Sequence, residues 1–230
     1  MTARLAFEGA GEAADLTAFL GRLIRWDKAA VVRLRSAEGE ATLGVFGHPP
    51  FGGVLAVRSA ALGGAGVAAV VDATVSAGQL LDAVDVAATA EGELVVPASV
   101  TGPSWAGLLP PRGGWRRVGE LDVGRLRVAA ASIIGEFRTR TEALAPEART
   151  RRGLDALAEE LWARPLGGDG DAAGTGLTFR VVHAAHAVGF LRADDAVVLA
   201  AGPWIRLRTG YGSIAHRTAS AASGLSVSPV

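Results

Sequence analysis

From Glu12 to Trp26 the segment EAADLTAFLGRLIRW spaces Leu16, Phe19, Leu20, Leu23 and Ile24 three and four residues apart, which gives a helix one apolar stripe. The period then shortens. KAAVVRLRS and ATLGVFG cluster or alternate β-formers around AEGE, whose glycine suits a tight hairpin. HPPFGG turns the chain again, and VLAVRSAAL and VAAVVDATV flank GGAG, so four antiparallel strands are predicted. At Ser76 the helical pattern returns, with Ser76 and Gln79 as a capping box ahead of Leu80, Leu81 and Val84. ELVVPASV, residues 93–100, reads as a short last strand that Pro97 confines to an edge. Residues 1–101 are expected to form an α+β domain, an antiparallel sheet flanked by helices.

Residues 104–117, SWAGLLPPRGGWRR, carry no period, and their prolines and glycines deny them regular structure. They are the heart of a strap over residues 102–119. Beyond it, DVGRLRVAAASIIGEFRTRTEAL places Val123, Leu126, Ala130, Ile133, Ile134 and Phe137 on one helix face. PEARTRRGLDALAEELWARPL, with Pro146 in its first turn, does the same with Leu154, Leu157, Leu161 and Trp162. GGDGDAAGTG is a loop. The β-branched residues of LTFRVVHAAHAVGFL suit a strand, but the spacing of Val181, Ala184, Val188 and Leu191 predicts a helix. AVVLAAGPWIRLRTGYGSIAHR predicts two or three short strands turning at AGP and TGYG. Helices followed by a β-hairpin over 120–217 make a winged-helix-like order, and the small, polar tail 218–230 is expected to be disordered.

Composition narrows the chemistry. Half the residues are hydrophobic, yet every apolar run breaks at Gly, Asp or Arg short of the roughly 18 residues of a membrane span. The N-terminus shows no apolar run of the secretory kind, and there is no cysteine, which removes disulfides, thiol nucleophiles and cysteine zinc sites. A soluble cytoplasmic protein is expected. Lys28 is the only lysine; no glycine loop precedes it, so there is no Walker A motif and no context for a Schiff base. GGAGVAA matches G-x-G-x-x-A at Gly64, Gly66 and Ala69, but a strand-like run follows it, and a glycine hairpin explains the same residues. Ser104 and Ser213 lack the G-x-S-x-G elbow, and His216 is near Ser213 only in sequence. His183 and His186 begin a metal pair for which no spacing nominates a third ligand among His48, His216, Asp194 and Asp195. The acidic pairs Glu159-Glu160, Asp194-Asp195 and Asp82/Asp85 read as solvated surface. No catalytic residue, cofactor or metal is expected.

Two sets of candidate binding residues survive. Residues 120–230 hold 13 arginines against 12 acidic residues, a net of +1, less than DNA-binding domains usually carry. Within them Arg180 and His183 of the third helix and Arg206 and Arg208 of the hairpin form a candidate recognition face. In the strap, Trp105 and Trp115 are large apolar surfaces that something must cover. Either the strap docks between domains through its tryptophans, Leu108 and Leu109, or Trp105, Arg112 and Trp115 line a groove for a ligand or partner. SWAGLLPPRGGW and the closing WIRLRTGYGSIAHR resemble conserved actinobacterial proteins of unknown function, a likeness that spans most of the chain and implies no catalytic residues. The reading that follows is a non-catalytic binding or regulatory module acting through a protein partner or as a homodimer, with strand 93–100 as a possible edge. The alternatives are a DNA-binding regulator and a small-molecule-binding protein or enzyme with its pocket at the strap.

Overall fold

The computed structural model describes residues 3–63, 70–89, 93–167, 174–192 and 195–218. The N-terminal half runs β1 (Arg4–Leu5), α1 (Ala10–Trp26), β2 (Val31–Ser36), β3 (Thr42–Gly47), β4 (Val54–Ala61), β5 (Val71–Ser76), α2 (Ala77–Thr89) and β6 (Leu94–Val95). After a 3-10 turn at Ser104–Gly107 come β7 (Arg116–Asp122), α3 (Val123–Ala143), a second 3-10 turn at Pro146–Ala148, α4 (Arg151–Trp162), α5 (Phe179–Ala187), β8 (Asp195–Ala201), β9 (Trp204–Thr209) and β10 (Gly212–Arg217). The fold is α+β, as the hydrophobic pattern implies. The motif at Gly64, Gly66 and Ala69, Asp194, and the tail from 219 lie outside the described residues.

Local chemistry explains the element ends. The Ser76 hydroxyl accepts the Gln79 N–H at 3.4 Å at the start of α2, and Asp122 accepts the Arg125 N–H at 2.7 Å at the start of α3. Pro146 does not open α4; it forms its own short turn, and Thr150 caps the helix by accepting the Gly153 N–H at 3.1 Å. The ambiguous segment is helical over Phe179–Ala187, with Val181 and Ala184 fully buried. The expected strand at 93–100 is only Leu94–Val95, paired with β1, because Pro97 lacks the N–H that a ladder needs. Conversely, the last residues of the strap are not irregular: Arg116–Asp122 is a full strand.

Both halves supply strands to one antiparallel sheet of order β5-β2-β3-β4-β10-β9-β8-β7. The seam is β4 against β10, where Ala56 pairs with Ile214 and Val57 with Ser213. The second half supplies four strands, β7 at the margin and β8 to β10 after the helices, and β9 and β10 are interior strands rather than a projecting wing. Alternation sets the two sheet faces. Val32 and Leu34, Leu43 and Val45, Ala56, Ile214, Leu207 and Val198 point to the side covered by the helices, into the main core with Leu16, Phe19, Leu20, Val181 and Leu126. Arg33 and Arg35, Phe46, Leu55, Ser213, Ala215, Trp204 and Arg206 take the opposite face.

The strap covers that second face. The Val100 N–H reaches the Thr74 carbonyl of the outer strand β5 at 2.8 Å, and Gly102 lies so close that a Cβ would sit 3.0 Å from the Thr74 hydroxyl. Trp105, Leu109 and Trp115 then pack on Leu55, Ala215 and Trp204 in the middle of the sheet. Leu108, expected to dock with them, stays 50 % exposed. The chain finally enters β7 beside β8, at the other edge. The segment thus crosses the sheet from one margin to the other. No described helix is long and apolar enough to cross a membrane.

Candidate functional site

The strap divides the open face into hollows. Trp105 stacks on His48 with ring centroids 5.7 Å apart and closes one side of a cavity of about 500 Å³ with Asp27 and Pro103. Burial holds the His48 imidazole below its ordinary range. Further along, Pro110 is buried and the Trp115 indole N–H donates to the Pro111 carbonyl at 2.9 Å, which folds the strap back on itself. The Arg206 guanidinium lies over the Trp115 ring at 5.6 Å, and its Nε donates to the Ser213 hydroxyl at 2.8 Å.

Between this corner and β2–β3 lies a groove of about 260 Å³ whose lining includes Arg35, Arg112, Arg206, Glu40, Phe46 and Ser59. Its three arginines come from β2, the strap and β9. Among the described residues Glu40 is the only carboxylate of the lining, and its Oε2 accepts the Ala37 N–H at 2.8 Å. Asp72 is committed elsewhere, held by Arg33 at 2.6 Å. The Arg35 Nε is 3.6 Å from Asp72 but buried without a hydrogen-bond partner among the described residues. Burial, and then the neighbouring Arg208, push the Arg206 guanidinium below its ordinary pKa. An anion placed here would offset the lowering at Arg206, because it sets an opposite charge beside that guanidinium. Gly44 keeps the floor open: a Cβ there would meet the Phe46 ring at 3.2 Å and the Arg35 carbonyl at 3.3 Å.

The structure brings Arg112, Trp115 and Arg206 together, with Arg208 one pleat further along the same face of β9; Trp105 borders the other hollow. Arg180 and His183 lie on the helix side of the sheet. Arg180, 7 % exposed, donates to the carbonyls of Phe51 and Gly52 at 3.1 and 3.2 Å and pairs with Glu159. His183 is wedged between the rings of Phe51 and Trp162, its centroid 4.8 and 5.0 Å from theirs. The four residues of the recognition-face reading therefore sit as two pairs on opposite sides of one sheet. Ser213 and His216 also point to opposite faces of β10. Among the described residues no three His, Asp or Glu side chains come together as a metal set.

Two further residues, Arg35 in the groove and Arg58 on the helix side of the sheet, have no local signal in the sequence. Arg35 lies in the strand-like run KAAVVRLRS. Arg58 lies in VLAVRSAAL, and its side chain is buried on the helix side, where it reaches the Tyr211 carbonyl at 2.9 Å, Glu12 at 3.2 Å and Asp15 at 3.1 Å. Only the pairing of distant strands shows either role.

Residues 1–107 match the model of a domain of unknown function, DUF8010, and residues 110–221 match that of a second domain of unknown function, DUF8185. No curated protein and no solved structure matches the chain. The junction of the two matches falls inside the strap, just after the 3-10 turn at Ser104–Gly107. The chain is thus similar over its first half to DUF8010 and over its second to DUF8185, two uncharacterised domains whose strands join here in one sheet.

Proposed function

We propose that the protein is a non-catalytic binding module whose strap groove takes a small anionic ligand carrying a phosphate or carboxylate. The observation that supports this is the meeting of Arg35, Arg112 and Arg206, from three distant segments, around one groove where, among the described residues, the lining has one carboxylate, Glu40. Guanidinium groups bind such oxyanions through paired, charge-assisted hydrogen bonds. Phe46 and the Pro110-Pro111 pair offer an apolar wall for the remainder of the ligand. A small anion suits the site better than a DNA duplex, because Arg180 and His183 do not share a face with Arg206 and Arg208.

The test is thermal stabilisation and calorimetric titration of the full chain with inorganic phosphate, pyrophosphate, di- and tricarboxylates, nucleotides and duplex DNA. One class of small anion is expected to bind saturably, more weakly as salt rises. Arg206→Ala and Arg112→Ala are each expected to weaken it about 10- to 100-fold, the range for one charge-assisted contact. Absence of any response, or wild-type affinity in both variants, overturns the proposal.

A further inference from the structure

The two margins of the sheet are not alike. At β5 the segment leading into the strap engages the outer strand through the Val100 N–H. At β7 no described strand pairs with the outer side, and the seven residues Arg116–Asp122 run along an open edge bordered by a groove between Val118 and Asp122. Open edges recruit strands unless something blunts them. Here the blunting features, charge and a bulge, are arranged so that they complement a second copy.

The order of charge along β7 is Arg116, Arg117, then Glu120 and Asp122. A parallel in-register partner would set like against like; an antiparallel copy sets the basic end against the acidic end. The register follows from the bulge. Arg117 pairs with Leu199 and Glu120 with Val197, two residues apart on β8, although the two are three apart on β7. The extra residue at Val118 therefore brings Arg117 and Glu120 onto the same face, where they form an ion pair. Arg116 and Leu121, opposite Ala200 and Ala196, share the other face. Residues directly opposite in an antiparallel ladder must share a face. A twofold axis between Val118 and Gly119 meets that condition: Arg117 of each copy faces Glu120 of the other, and Arg116 faces Leu121. Setting Arg116 against Asp122 would place opposing side chains on different faces.

We infer that the protein forms a closed dimer through antiparallel pairing of β7 with β7 of a second copy, exchanging each internal Arg117–Glu120 pair for two between copies. The sheet then runs unbroken through both molecules, and its outer ends are the two β5 margins engaged by the straps. Because the contact is isologous, it closes at two chains rather than propagating.

The experiment is mass determination by light scattering on wild type, Arg117→Glu, Glu120→Arg and an equimolar mixture of the two variants, with circular dichroism on each. Wild type is expected at twice the chain mass. Each variant, now carrying like charges at both facing positions, is expected at the mass of one chain with an unchanged spectrum. The mixture is expected to recover the dimer, since every facing pair is again opposite in sign; recovery also shows that both variants are folded. A monomeric wild type at all concentrations, variants that remain dimeric, or a mixture that stays monomeric overturns the inference.

Discussion

Single side chains in this protein carry loads that their sequence neighbours do not reveal. Arg58, 5 % exposed, ties α1 to the β9–β10 turn through Glu12, Asp15 and the Tyr211 carbonyl. Arg58→Ala leaves two carboxylates facing a partly buried gap, and a loss of about 3 kcal/mol is expected in urea unfolding, the low end for breaking a buried ion pair. His183 gives a pH dependence. Burial, with a contribution from His186, pulls its imidazole from 6.5 to about 4, and its Nδ1 has no hydrogen-bond partner among the described residues. The folded state thus resists a proton that the unfolded chain accepts. The stabilisation is complete above the unfolded value and is lost as pH falls from 6.5 toward 4, on the order of 3 kcal/mol for this group. His48 and His216 are lowered chiefly by burial and act with the same sign. Urea midpoints at about pH 7 and about pH 4.5 should differ less in His183→Gln than in wild type; an equal drop in both would assign the effect to other groups.

At the scale of elements, the strap matters most. Its tryptophans are half-buried, and the groove wall depends on them: Trp115 holds Pro111 through its indole N–H and lies under Arg206. Trp115→Ala is expected to cost roughly 2 kcal/mol, less than truncation of a fully buried tryptophan, and to weaken ligand binding along with it. Chemical denaturation and titration on the same sample check both. Loss of stability with unchanged binding would show a cover that does not shape the groove. The α3–α4 pair packs through Ile133, Leu157 and Leu161 and carries a surface network in which Arg140 contacts Glu160 at 2.7 Å and Arg164 contacts Glu136 at 2.8 Å. Hydrogen bonds from Arg164 and Arg140 respectively keep Glu136 and Glu160 below the usual carboxylate range. Such exposed pairs orient the two helices more than they stabilise them.

For the whole molecule, the decisive contact is β4 against β10, which makes one sheet from two family matches. Its consequence is cooperativity. A single unfolding transition is expected for the full chain, monitored by tryptophan fluorescence and circular dichroism together. Residues 1–107 alone would leave β4 as a bare edge and expose Leu55 and Val57, so the isolated fragment is expected to aggregate or remain unfolded. A monomeric fragment with a native-like cooperative melt would show instead that the first half is an independent domain.

How much of this was legible along the chain depends on the range of the interaction. Helix stripes such as Leu16–Phe19–Leu20–Leu23 and Val123–Leu126–Ala130–Ile133 are local periodicities, and the strands β2 to β5 announce themselves by β-branched clusters and glycine turns, so the sequence by itself determined these elements and the α+β class. It also singled out the strap, since prolines and tryptophans there had no helix or strand to serve. It did not determine that the strap crosses a face shared by both halves, nor that Arg35 and Arg206 would join Arg112. Nor did it show that Val118 is an extra residue that re-aims Arg117. Strand order and register are set by hydrogen-bonding groups on edges that meet only after the chain has folded, and the sequence separation of those partners carries no local signal. That is why the elements belong to the sequence, and the groove and the open edge belong to the tertiary structure.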